Sequence, residues 1–513
     1  MNKASEIKKV ILGDKINISQ FMAVCRYGAE VEFSDEYCQR VNKARSLLEQ
    51  WVDEGRVMYG VTTGFGALCT KAIDKDETAK LQENIIKSHS TSVGVPFEIE
   101  EARGVMLMVL QNLGQGYSGV RLELLEVYRD FLNKGVTPWA PKEGSVGYLS
   151  PEAHMARVIS GEGKAYYNGE LLDGAEALAK AGIKPLALSY KEGLALVSGT
   201  TSATAMAAIS LFDIINAALA ADVIASLTLE SSKGIIKAFD ERVMKVRPHS
   251  HQADTAANVR NILADSEVIE YYKDSRVQDA LSLRCVSQLH GAAKKTIYDA
   301  LETIETEMNA CCDNPIIWHD GDEAEVISAC NPDSAFVGIE MDSVAIAATN
   351  LAKMSERRNN RMIDESLGGY PMFLISNPGL NSGLMIPQYT QAGLLNDMRI
   401  LSTSATIDNT PTCGNQEDYV AMGYNAAKKA LSISRNLEYI LAIELLSAYE
   451  TQGFIKDECK RGSTTMKIFG EIGEKVPLMQ EDIFLHEHIE YLRDFIHSGR
   501  LVEITEGCIG EIK

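Results

Sequence analysis

Tyr59 opens the stretch YGVTTGFG (59–66), where it precedes a run of glycines and two threonines. Glycine lets a ligand approach the main chain closely, and a tyrosine beside such a loop can act as a general base if its phenol pKa is lowered. The other reading of this stretch is an aromatic ring packed beside a turn. QDALSLR (278–284) brings Gln278 and Arg284 together. The planar guanidinium fork suits a substrate carboxylate, while a surface ion pair would also explain the arginine. GNQEDYVAMG (414–423) supplies Asn415, Gln416, Glu417 and Asp418 just ahead of a predicted long helix. N-capping accounts for Asp418 alone, not for all four.

Other arrangements carry less chemistry. Cys311 and Cys312 are adjacent, with no paired Cys-x-x-Cys, and HEHIEYL (486–492) lacks the histidine spacing of a zinc protease helix, so no metal is expected. His249-Ser250-His251 reads as a surface turn before a helix. Neither a phosphate loop nor a strand followed by Gly-x-Gly-x-x-Gly occurs.

These groups must be positioned by helices. Apolar residues recur at three- and four-residue spacing over 47–60, 102–116, 202–230, 341–364 and 424–452. Several of these segments are apolar around most of their circumference, as in the centre of a large bundle. Strand-like stretches are short: 164–172, 185–188 and 324–328. The expected division is an N-terminal lobe of helices and loops (1–200), a long-helix core (201–455) and a polar helical tail (456–513).

The chain has 513 residues, 45% hydrophobic and 24% charged, long enough for more than one packed lobe. Its 50 Lys+Arg against 71 Asp+Glu give a net charge of −21, which argues against nucleic-acid or anionic-membrane partners. The N-terminal residues lack the apolar core of a signal peptide. With ten cysteines and no such signal, reduced thiols in a cytoplasmic protein are expected.

In their order along the chain, these motifs resemble the aromatic amino acid ammonia-lyase family, the histidine and phenylalanine ammonia-lyases. Matching stretches run from about residue 45 to 455: YGVTTGFG (59–66), NIIKSHSTSVG (84–94), GYSGVR (116–121), GEGKAYYNGE (161–170), KEGLALVSGT (191–200), VQDALSLRC (277–285), CDNP (312–315), SERR (355–358), NSGLMI (381–386) and NQED (415–418). The histidine branch is the nearest. The resemblance implies an all-α, ammonia-lyase/fumarase-like fold with a long central bundle and a smaller loop-rich N-terminal lobe. It also implies a homotetramer in which residues from different subunits meet at each site. Carried over by motif position, Tyr59 is the base that takes the proton β to the carboxylate, and Arg284 holds that carboxylate. Gln278 and Glu417 line the polar end. His89 faces the substrate ring, with Lys87 in the same segment. Ser198, Asn331 and Met385 fall in further substrate-lining motifs.

The stretch EGSVGYLSPEAHMA (143–156) departs from the family. Its flanks match, but the inner Ala-Ser-Gly that cyclises into the electrophilic methylidene-imidazolone is missing as a three-residue deletion, and Tyr148 follows Gly147. Ser198 stands where the family has an asparagine beside the electrophile, Leu281 replaces a tyrosine, and Pro332-Asp333 replaces Phe-His. Ammonia is a poor leaving group and the electrophile activates it, whereas a trimethylammonium group departs unaided. The departure therefore leads to the expectation of an ergothionase-like carbon–nitrogen lyase without a cofactor. Its substrate would be a histidine betaine, ergothioneine, split into trimethylamine and thiourocanate. In that reading Tyr148 fills vacated volume or meets the cation, and Asp333 or Glu417 serves the cationic nitrogen or the ring. Asp333 also reads as the N-cap of a helix over 334–358. Alternatives are ammonia-lyase-type elimination on another histidine derivative, hercynine for example, and a non-catalytic binding relative.

Overall fold

A computed structural model describes residues 4–74, 77–320, 323–455 and 459–513. The expected start of the tail, residue 456, lies outside them. The chain is mostly helical, as expected, with a few short strands. It divides into two compact units, one of Met1–Phe212, Leu301–Asp342 and Ser404–Lys428, the other of Asp213–Ala300, Ser343–Thr403 and Lys429–Lys513. The long helices Thr201–Ser231, Val286–Met308, Ala335–Ile363 and Gly423–Glu450 contribute residues to both.

The segment 202–230 forms the helix Thr201–Ser231, and every residue of it except Phe212 is buried. A helix apolar on all sides must be enclosed on all sides. By length and composition, two helical stretches could cross a membrane, Glu192–Ser231 and Ala335–Ile363, but 89% and 61% of their most apolar windows are buried within the protein. They are core helices.

In the first unit the helix Ile99–Leu113 is the centre, buried from Glu101 onward. The helix Ile18–Cys25 packs on it, fixed at its start by a reciprocal capping box between Asn17 and Gln20. A second cluster is formed by Ala44, Leu48, Trp51, Val52, Met58, Val61 and Ile317, and includes Met58, the residue before Tyr59. The periodic stretch 47–60 does not continue as a helix. The helix Asp35–Asp53 stops because Gly55 turns left-handed at φ +72°. Four small sheets line this unit: Lys9–Leu12 with Glu30–Phe33 (parallel), Val93–Pro96 with Pro141–Glu143, Thr137–Pro138 with Lys164–Tyr167 and Glu170–Asp173, and Ile316–Asp320 with Glu323–Ile327 (all antiparallel). The strand expected at 185–188 is irregular backbone. Pro185 lacks an N–H, and Leu186 N donates to the Ile159 carbonyl at 2.9 Å rather than to a neighbouring strand.

The second unit is knit by buried polar groups. Asp222 accepts from His290 Nδ1 at 2.8 Å and Asn258 Nδ2 at 2.9 Å and pairs with Lys294. Burial pushes the Asp222 carboxyl up, but Lys294 and His290 outweigh it and hold the group well below the usual carboxylate range. Arg358 forks onto Glu444 at 2.5 and 2.8 Å, and Thr228 donates to the same carboxylate at 2.7 Å. Glu438 receives His497 at 2.8 Å and Arg493 at 3.0 Å, which fastens the helix His486–His497. All ten cysteines are free.

Candidate functional site

The loop after Asp53 holds Tyr59 in place through its threonines. Thr62 Oγ1 accepts from Met58 N and donates to the Arg56 carbonyl, both at 2.8 Å. Thr63 Oγ1 accepts from Gly60 N at 3.2 Å. Gly60 cannot be larger: its φ is +64°, and a Cβ there would lie 2.3 Å from Leu194 Cδ2. The loop then returns so that Gly66 N–H donates to Tyr59 Oη at 2.7 Å. Burial pushes the Tyr59 phenol above its ordinary value, and the Gly66 N–H, which favours the phenolate, opposes that rise.

Glu417 lies at the end of a small cinched loop. Thr412 N donates to the Glu417 carbonyl at 2.8 Å, and Asn415 N to the Thr412 carbonyl at 2.9 Å. Between them Cys413, Gly414 and Asn415 are all left-handed, at φ +51°, +63° and +66°. Two hydroxyls reach one oxygen of the carboxylate: Thr412 Oγ1 donates to Oε2 at 2.7 Å and Tyr148 Oη donates to it at 3.2 Å. Burial first, and then the Glu417 charge, push the Tyr148 phenol far up, so it stays a neutral donor. Cys413 Sγ accepts from Ala67 N at 3.4 Å, which ties this loop to the backbone that serves Tyr59.

His89 ends the helix Thr78–His89. Its Nδ1 is 2.8 Å from the Ile85 carbonyl, which can only accept, so Nδ1 carries the proton and Nε2 is left as an acceptor. Burial pushes this imidazole below its ordinary value, so it is neutral at pH 7. Its ring leans on Phe65 at 5.3 Å. The Glu417 charge acts on Tyr59, His89 and Tyr148 alike, and Asp333 acts on Tyr148. These five residues form one group.

Asp333 is also a cap, since its Oδ1 accepts from Ala335 N at 2.8 Å at the head of Ala335–Ile363. The other expected residues have contacts of their own. Ser198 is buried and accepts from Asn314 N at 3.2 Å. Asn331 donates to the Cys311 carbonyl at 3.1 Å. Lys87 is exposed and pairs with Glu83 at 3.7 Å. In the second unit, Gln278 and Arg284 line a cavity of about 720 Å³ together with Lys237, Lys273 and Arg276. Arg284 Nε donates to the Asp279 carbonyl at 3.0 Å, and among the described residues its terminal N–H groups have no partner and it forms no ion pair. That leaves the fork free for a carboxylate. Met385 begins the helix Met385–Leu401 in the same unit.

The motif reading missed Thr412, Cys413 and the Gly66 N–H. Only the glycines of YGVTTGFG and CGN signalled the tight backbone that recruits them.

The loop 144–150 is a tight turn. Ser150 N donates to the Tyr148 carbonyl at 3.2 Å, across Leu149 at φ +83°, ψ −69°. That is the γ-turn of the rare, left-handed kind, unfavourable for a leucine. Leu149 N donates to the Val197 carbonyl at 3.0 Å, and Ser150 Oγ lies 2.8 Å from Ser92 Oγ, so the turn is held from outside.

A mostly helical chain whose loops gather a tyrosine, an imidazole and a carboxylate has the build of an amino-acid lyase. The family profile "aromatic amino acid lyase" matches residues 16–474. The chain belongs to the aromatic amino acid lyase family. It is 42% identical to histidine ammonia-lyase 1 of Fusobacterium nucleatum subsp. nucleatum over 99% of both chains. Among solved structures, histidine ammonia-lyase of Trypanosoma cruzi matches with TM-score 0.91 and 31% identity, covering 98% of this chain and 96% of that one. Ergothionase of Treponema denticola, an ergothioneine-degrading enzyme solved with desmethyl-ergothioneine sulfonic acid, matches with TM-score 0.89 and 30% identity over 96% and 99%.

Two expectations are corrected by these comparisons. The ergothionase reading is overturned: relatives 39–42% identical over 96–99% of this chain are named histidine ammonia-lyases, while ergothionase is a structural neighbour at 30%. The expectation of no cofactor, which was read from the missing Ala-Ser-Gly, is overturned with it, because the relatives that match over the whole chain are named histidine ammonia-lyases. Loss of ammonia is the reaction for which the family resemblance implies a methylidene-imidazolone. A methylidene requires a β-hydroxyl on the central residue of the cyclising triplet. The central residue of this turn is Leu149, and Ala-Ser-Gly occurs nowhere in the sequence. The residues present do not fit the group, and no step below is routed through it.

Proposed function

We propose that the chain is a carbon–nitrogen lyase acting on histidine or a close histidine derivative by ammonia-lyase-type 1,2-elimination. The observation that carries this reading is the 42% identity to a histidine ammonia-lyase over 99% of the chain. The geometry supports it. His89 offers a neutral imidazole with a free Nε2 acceptor, suited to the N–H of a substrate imidazole. By motif position, and not by geometry, Arg284 is assigned the carboxylate and Gln278 the polar end. Tyr59 removes the β-proton, its phenolate favoured by the Gly66 N–H. Glu417 faces the amine or ring, its charge already felt by the surrounding groups. A homotetramer that shares residues between subunits is part of this reading, and so is a cytoplasmic setting, which the ten free thiols support.

The test is to incubate the purified protein with histidine, hercynine and ergothioneine in parallel and follow the absorbance of the conjugated acrylate. Urocanate from histidine is the expected result. Product from ergothioneine alone would overturn the proposal. The Leu149 apex favours a second reading, a relative that binds a histidine-type ligand without turning it over. Calorimetric binding of histidine with no product from any of the three would establish that reading instead.

A further inference from the structure

Glu417 accepts two hydroxyl hydrogen bonds on the same oxygen, Oε2, while Oε1 has no hydrogen-bond partner among the described residues. A carboxylate on a flexible side chain ordinarily samples several rotamers. Two donors on one oxygen fix both its torsion and which oxygen faces outward. The donors come from different places, Thr412 from the neck of the 412–417 loop and Tyr148 from the turn 144–150. Neither hydroxyl is needed to close its own turn. The 412–417 loop is closed by the main-chain bonds Thr412 N to Glu417 O (2.8 Å) and Asn415 N to Thr412 O (2.9 Å), and the 148–150 turn by Ser150 N to Tyr148 O (3.2 Å). Three consecutive left-handed residues, Cys413 to Asn415, set the Thr412 side chain beside the Glu417 carboxylate.

We infer that Thr412 and Tyr148 are positioning residues, whose hydroxyls hold Glu417 so that Oε1 alone is presented to the substrate. The inference rests on the lyase reading and assigns Tyr148 to Glu417 rather than to the substrate. Tyr148 stands where the loop departs from the family motif, so its phenol is a feature of this chain's own version of the site.

The experiment compares Thr412→Val, Thr412→Ser and Tyr148→Phe with wild type, alone and in a Glu417→Ala background. Valine keeps the shape and the backbone bonds of threonine and removes only the donor. In Thr412→Val and Tyr148→Phe, kcat should fall about tenfold with KM changed by less than about threefold and the melting temperature unchanged. Thr412→Ser should restore the rate to within about threefold of wild type. In the Glu417→Ala background neither substitution should add more than about twofold, because each acts through the missing carboxylate. Losses that add fully in that background, or a serine variant as slow as valine, would overturn the inference. If wild type turns over no histidine-type substrate, the lyase reading fails. The same cycle is then read from calorimetric histidine affinity, where non-additive losses support the positioning role and additive ones remove it.

Discussion

Tyr59 illustrates how a side chain's chemistry is set by one backbone atom. Burial alone would keep its phenol protonated, and the Gly66 N–H at 2.7 Å is the hydrogen bond that favours the phenolate. Tyr59→Phe removes the proton acceptor without changing the packing, and kcat should drop by about 10²-fold or more in the histidine assay, with histidine affinity in calorimetry nearly unchanged. A variant at full rate would remove Tyr59 from the base role. At this scale the motifs singled out Tyr59, His89, Arg284 and Glu417, of which Tyr59, His89 and Glu417 fall in the same compact unit. Thr412 was not readable. A threonine is unremarked in any loop, and its importance arises from the left-handed run Cys413–Asn415, which brings its hydroxyl to Glu417. Tyr148 was readable as a departure from the family, but its partner Glu417, far along the chain, became visible only in the fold.

Helices were the most legible elements, because a long three-and-four spacing has few alternatives. Their ends were less so, since a single left-handed glycine such as Gly55 stops a pattern that the side chains would continue. Buried ionisable groups at element ends were invisible, and two of them make testable claims. Lys191, at φ +69° before the helix Glu192–Val197, is fully buried and pairs with fully buried Asp313 at 2.7 Å. Lys191→Met leaves that carboxylate unpaired and should cost about 3–5 kcal/mol in urea unfolding, part of which Lys191→Met/Asp313→Leu should recover. Glu450 is the last residue of Gly423–Glu450, at the negative end of the helix. Met479 N donates to its Oε2 at 3.1 Å, its Oε1 is buried without a partner, and burial raises its carboxyl to about 7. The folded form therefore holds a proton that the unfolded chain has already released above the ordinary glutamate range. This contribution to stability is complete below that range and is lost as pH rises through about 7, on the order of 3 kcal/mol in total. Glu450→Gln should flatten that slope in melting curves taken from pH 5 to 8.

For the whole molecule, a net charge of −21 keeps the chain soluble, yet it exposes large apolar side chains. On the helix Ala335–Ile363, Phe336 is 72% and Ile339 58% exposed. Such a pair on one helical face is what a subunit contact would cover. Under the proposed homotetramer, Phe336→Glu/Ile339→Glu should move sedimentation to lighter species while the far-ultraviolet dichroism stays helical. Unchanged sedimentation would exclude this face from the assembly.

Trp51 lies in the same apolar cluster as Met58, the residue before Tyr59, is 2% exposed, and has the Arg56 guanidinium 5.0 Å above its ring. Arg56 belongs to the same loop, and its carbonyl anchors Thr62. The sequence has only two other tryptophans, Trp139 and Trp318, so Trp139→Phe/Trp318→Phe leaves Trp51 as a single fluorophore. A cation over an indole face quenches and shifts its emission when the geometry changes. The protein thus carries its own optical gauge for the Tyr59 loop: adding histidine should change Trp51 intensity in a saturable way, and the change should vanish in Arg56→Ala.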